Sequence, residues 1–255
     1  MESLFSLMSP LDLLFAGSIA VFAGFVKGTV GFAMPMVLVS GLNVFLQPDL
    51  ALALLILPTL FTNIFQATRQ GLGPAWQVAK DFWIYLVVGG TVLVAAAQLV
   101  RVLPPQAMLL IIGIPVTFFA LLMLVGAGFH LARRSPRLEA AIAAFAGFLG
   151  GLSGIWGPPT VMYLTALGTE KHAQMRVQGV IYGLGSVSLA IAHVGSGVLN
   201  QATWPMSAAL VPPAFFGMWL GGLLLARIDQ KMFRRATLLV LLVAGLNLVR
   251  RAIWV

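Results

Sequence analysis

The sequence predicts an all-α, polytopic membrane protein made of two sequence-related, inverted halves. Each half is a broken, re-entrant helical hairpin followed by three transmembrane helices. Three observations carry this. Of 255 residues, 60% are hydrophobic and only 9% charged, and mean hydropathy is +1.00. Soluble domains typically hold about 25% charged residues, and one of this length cannot hide so much apolar surface. The apolar residues fall into runs that match the ~20 residues a bilayer crossing needs. A glycine-rich segment also occurs twice.

In chain order, the first long apolar segment covers residues 11–46 and carries "FAGFVKGTVGFAMP" at 22–35. Three simple runs follow at about 50–68, 81–100 and 106–129. The second long segment covers residues 138–167, with "FAGFLGGLSGIWGP" at 145–158. Runs at about 177–197, 205–226 and 233–249 complete the chain. Each long segment exceeds one simple crossing and is interrupted by glycines and then proline, which predicts two half-length helices meeting at a break. The two segments align without a gap. Phe-Ala-Gly-Phe matches, as do Gly28 with Gly151, Gly31 with Gly154, and Pro35 with Pro158. A "GG" pair recurs at Gly89-Gly90 and Gly221-Gly222, so the halves are expected to be 1–130 and 131–255 within one membrane domain. Duplicated halves are common in secondary transporters.

Charge distinguishes two topologies. If each long segment crosses once, giving eight spans as 4+4, Lys and Arg divide equally between the two sides. If each long segment dips in and returns, one side collects Arg69, Lys80, Arg133, Arg134, Arg137, Lys171, Arg176, Arg227, Lys231, Arg234 and Arg235. The other side keeps Arg101, Arg250 and Arg251. The cytoplasmic excess of basic residues favours the re-entrant form and puts both termini outside the cytoplasm. The Arg133-Arg134 and Arg234-Arg235 pairs then act as topology anchors.

Several function classes are excluded. Without cysteine there is no disulfide framework, thiol nucleophile or cysteine metal site. The net charge of +8 sits in gaps between apolar runs, as flanks of spans do, rather than in a patch that would bind nucleic acid. The opening "MESLFSLMSP" lacks the basic region of a cleavable signal peptide. There is no P-loop for ATP, and His130, His172 and His193 do not form a zinc-protease H-E-x-x-H. No enzyme activity and no cofactor are expected.

The breaks predict an anion site. Non-helical backbone at membrane depth survives where protein or a water-filled cavity satisfies it. Half-helices starting near Gly31 and Gly154 present N-terminal N–H groups and partial positive charge toward the midplane. Lys27 adds a cation there with no acidic residue opposite it in the repeat, where Gly150 stands. The bland alternative is that Lys27 snorkels to an interface. Candidate substrate-binding residues are Lys27, Gly28, Thr29 and Gly31 on the first break, and Ser153, Gly154 and Trp156 on the second. The neighbouring spans add Asn63, Gln66, Gln178, Tyr182 and Ser186, with His193 a candidate for proton coupling. For each of these alone, hydrogen bonding to a neighbouring helix is an equal alternative.

With "GFVKGTVGFAMP" and "GFLGGLSGIWGPP" in place, the chain resembles the TauE/SafE family of sulfite and organosulfonate permeases across nearly its whole length. The resemblance implies a multi-pass carrier of a bacterial inner membrane. It also implies a sulfonate or sulfite-like anion as substrate, moved by alternating access past the broken-helix ends. Trp156 stands where many relatives have a run of glycines, and its face suits an organic sulfonate. Small anions and membrane lipids are the expected partners and nucleic acid is not. A homodimer is compatible with the sequence, which leaves import versus export and the coupling ion open. An anion channel, or a structural partner of another membrane complex, is the alternative.

Overall fold

The computed structural model describes residues 8–97, 105–125, 131–153, 156–195 and 197–254. Among them the chain forms twelve helices and no strand. They are α1 (Pro10–Val30), α2 (Met34–Leu42), α3 (Pro48–Thr68), α4 (Leu72–Asp81), α5 (Trp83–Ala97) and α6 (Pro105–Leu124). The second six are α7 (Pro136–Ser153), α8 (Gly157–Ala166), α9 (Lys171–Gly195), α10 (Trp204–Ala209), α11 (Val211–Arg227) and α12 (Gln230–Trp254). Five helices are long and apolar enough to cross a membrane, or six if α4 and α5, bent by 77° at their junction, form one span. The long exposed side chains, Phe22, Leu184, Trp219 and Val243 among them, face outward as a lipid-facing surface does.

Local chemistry explains where the helices start and stop. Ser9 caps α1 by accepting from Asp12 N–H, while the Asp12 carboxylate accepts from Ser9 N–H, and Pro10 supplies the first-turn φ. Gly31 ends α1 in the left-handed conformation at φ 86°, its N–H donating to Lys27 O. The breaks differ in shape from the expected pair of half-length helices. α1 holds 21 residues, about 31 Å, and α2 only 9. Gly24 and Gly28 do not break α1 because both are packed against α11; the positive φ values of the break lie at Gly31 and at Ala33, the residue before α2, at 71°. Pro58 inside α3 deprives Leu54 O of its usual helical donor, and Ser207 of α10 replaces it with a 3.2 Å hydrogen bond.

Helices from the two parts of the chain pair across the molecule: α1 with α11, α5 with α7, α3 with α9, and α6 with α12. α2 turns back along α1, so that Gly41 lies against Ile19 and the Phe15 and Phe45 rings sit 6.3 Å apart. α8 likewise returns toward the start of α7, where Leu131 N–H donates to Ala166 O at 2.9 Å. α3 and α9 run antiparallel: Asn63 meets Tyr182, and Gln66 meets the earlier Met175. α6 and α12 do the same, with Gly113 beside Leu248 and Thr117 beside Gly245.

One end of the bundle is tied by polar contacts. Arg176 donates to Gln70, Lys171 to Ile228 O, and Gln230 to Thr169 O. At the same end Arg134 pairs with Glu139 at 2.6 Å and stacks 3.8 Å over the Phe82 ring. The Glu139 side chain is 3% exposed and that of Arg134 37%, and Tyr163 of α8 also reaches the carboxylate. Removing one member of a fully buried pair costs roughly 3–5 kcal/mol. Because Arg134 is partly solvated, Glu139→Gln is expected to destabilise the fold by about 2 kcal/mol. Thermal unfolding in detergent checks this, and an unchanged Tm would show that the pair holds nothing in place.

Candidate functional site

Lys27 lies one turn from the end of α1 with only 1% of its surface exposed. Its Nζ donates to Asn63 Oδ1 of α3, and Asn63 Nδ2 donates to Tyr182 O of α9 at 3.2 Å. These three residues wall a cavity of about 30 Å³, room for a water molecule. Phe32, Ala33, Pro35 and Met36 close it from the first break, and Trp156 and Gly157 from the second. Both broken segments therefore meet at one point, and the N-terminal ends of α2 and α8 border the same space. Tyr182 fixes the second break through a 3.1 Å bond from its hydroxyl to Gly157 O. The Trp156 ring meets Tyr182 edge-on at 6.4 Å and lies over Gly185, where an added Cβ would come within 3.2 Å of the indole. On the other side Trp156 Cβ abuts Gly150, the repeat counterpart of Lys27.

A cation so deeply buried needs a counterpart. Among the described residues the one carboxylate ion pair is Arg134–Glu139, at the bundle's end. Lys27 has a neutral amide as partner instead, so no carboxylate among those residues pairs with its amino group.

The other predicted residues sort by what they touch. Gln66 donates to Gly31 O at 3.1 Å and to Met175 O at 2.9 Å, which satisfies the freed carbonyl end of α1. Gln178, in the amide orientation that satisfies both its ends, donates to Val30 O at 3.2 Å and Gly31 O at 3.3 Å while accepting from Gln174. Gly31, Gln66 and Gln178 thus hold the break rather than line the cavity. Gly28 packs on Met218 of α11, and Thr29 donates to Phe25 O at 3.0 Å and Gly221 O at 3.4 Å, so both face away from the cavity. Ser186 is spent on Gly183 O at 2.9 Å within α9. His193 lies eleven residues beyond Tyr182 on α9, about 16 Å along its axis, and does not line the cavity. Gly154 and the Ser153 side chain lie outside the described residues. The cavity residues missed from sequence, Phe32, Ala33, Pro35, Met36 and Gly157, sit within or beside the duplicated motif. Their signal was position in the motif, since none carries a polar side chain.

The model of the family described as sulfite exporter TauE/SafE matches residues 16–248. A protein of Bacillus subtilis (strain 168), described as probable membrane transporter protein YunE, is 34% identical over 117 residues. That match spans 45% of this chain and 41% of the relative, so the chain covers less than half of the relative's length. No solved structure matches the chain significantly. With the family's model covering both duplicated segments and the helices between them, the chain belongs to the TauE/SafE sulfite exporter family of membrane transporters.

Proposed function

We propose that the protein is a secondary transporter of a sulfur-containing anion, a sulfonate or sulfite-like oxyanion, held beside Lys27 when the two breaks part and widen the water-sized cavity between them. The observation that carries this reading is the buried Lys27 ammonium, which faces a cavity bordered by two helix N-termini and, among the described residues, has Asn63 as its one side-chain partner. A positive pocket with converging helix ends suits an anion. The antiparallel pairing of α3 with α9 and of α6 with α12 supports two inverted halves, the arrangement that alternating access uses. The hairpin form of α1–α2 and α7–α8 supports re-entrant segments over 4+4 crossings. It gathers Arg69, Lys80, Arg134, Lys171 and Arg176 at one end, the expected cytoplasmic face in a bacterial inner membrane.

Counterflow into proteoliposomes tests it. Vesicles preloaded with unlabelled sulfite or toluenesulfonate are expected to accumulate the labelled anion, with a rate that saturates. Non-saturating flux would make the protein a channel, and no flux of any sulfur anion would remove the transporter reading.

A further inference from the structure

We infer that a second cavity, of about 260 Å³ between α3, α9 and α11, is an anion-binding vestibule that feeds the Lys27 site. The inference rests on the transporter reading above. The cavity is lined by Arg69, His172 and Arg176 together with Gln66, Gln70 and Gly28. It sits at the basic end of the bundle. Arg176 donates one guanidinium nitrogen to Gln70 at 2.6 Å, but its Nε is buried and without a partner among the described residues. Arg69 makes no side-chain ion pair among the described residues, and its guanidinium lies 3.4 Å from where a Cβ on Gly222 would be. That glycine leaves the guanidinium room to turn into the cavity.

Two guanidinium groups without a carboxylate, one with an orphaned N–H, are donors set for an oxyanion, which each fork can hold bidentately. The nearby acid, Glu170, is engaged with His172 N–H and Ala173 N–H, where it caps α9. The vestibule is divided from the central cavity by a thin wall. Gly28 lines one cavity and its neighbour Lys27 the other. Gln66 lines the vestibule while its amide holds Gly31 O, and Asn63, one turn earlier on α3, lines the central site. An anion held by Arg69 and Arg176 therefore waits six residues along α3 from the level of Asn63 and Lys27, about 9 Å, and release of the Gln66–Gly31 bond opens the way between them.

The test is equilibrium dialysis of labelled sulfite, and separately of labelled methanesulfonate, against purified full-length protein in neutral-lipid nanodiscs. Wild type is expected to bind two equivalents. Lys27→Met is expected to keep one, with an affinity that falls as salt rises. In Arg69→Gln/Arg176→Gln the vestibule affinity is expected to fall at least tenfold, and Arg69→Lys/Arg176→Lys to recover part of it, which separates lost charge from lost folding. If Lys27→Met binds nothing, or the glutamine double variant binds as wild type does, the vestibule is refuted and the central site stands. A single equivalent that survives Lys27→Met and is lost with the arginines keeps the vestibule and removes the central site. Absence of binding by wild type refutes both.

Discussion

Lys27→Met is expected to abolish anion counterflow, by a hundredfold or more, while leaving the protein as stable as wild type. The two halves of that result have separate physical causes. Burying an ammonium costs several kcal/mol unless a charge and full hydrogen bonding compensate it. At 1% exposure, with one amide as its side-chain partner among the described residues, Lys27 is under-compensated by the protein's own groups. Methionine fills a similar length without charge. It leaves Asn63 Oδ1 unpaired, a cost of about 1–3 kcal/mol, but it removes the desolvation of the cation, so the net change is expected within about 2 kcal/mol of zero. Transport has no such offset, because an anion at the cavity loses the charge that faces it. Counterflow rates together with Tm in detergent read both effects. A variant that is less stable by several kcal/mol yet transports normally would make Lys27 a structural lysine and remove it from the site.

The sequence carried the placement of this site better than its membership. The duplicated motif marked both segments that meet at the cavity, and the lone lysine within it marked the charge. Asn63, Trp156 and Tyr182 were also legible, because a polar or amphipathic side chain inside an apolar run needs a partner. What sequence could not separate is which face of a helix a polar group occupies once the helices are packed. Thr29 is two residues from Lys27, yet it bonds to Gly221 O on α11 because successive helical residues point in different directions. Gln66 and Gln178 look like ligands in a linear reading. They serve instead as donors to carbonyls that exist only because α1 stops at Gly31. Arg69 and Arg176 entered the linear reading only among the basic residues counted on one side of the membrane, since nothing linear says that the starts and ends of two distant helices enclose a cavity. The unequal arms of the hairpin were hidden for a related reason. A glycine in a helix interior can mark a break or a close approach, and only the partner helix decides which.

That partner makes Gly217→Ala the most damaging small substitution expected in the molecule. α1 and α11 touch through reciprocal glycines: a Cβ on Gly24 would overlap Ala214 O, one on Gly28 Met218 O, one on Gly217 Val21 O, and one on Gly221 Phe25 O. The obstacle in each case is backbone, which no rotamer change can move, so a single methyl must push the helices apart along their whole contact. Overpacking of this kind costs about 3 kcal/mol and more where the backbone cannot yield. Membrane helices depend on such small-residue contacts because lipid offers no hydrophobic drive to hold them together. Gly17→Ala and Gly90→Ala supply the contrast, because among the described residues no atom beyond the local helix backbone lies within 4 Å of a Cβ at either position. Each is expected to be neutral, or stabilising by about 0.5–1 kcal/mol from helix propensity alone. Size-exclusion profiles and Tm of the three variants in detergent check the ranking. Equal tolerance of alanine at Gly217 and Gly17 would mean that α1 and α11 do not pack this closely. The consequence reaches the site, because Gly28 is the residue after Lys27 on the same helix. Moving α1 off α11 by one methyl shifts the ammonium against Asn63, so a Gly28→Ala protein that still folds is expected to transport more slowly than wild type at saturating anion.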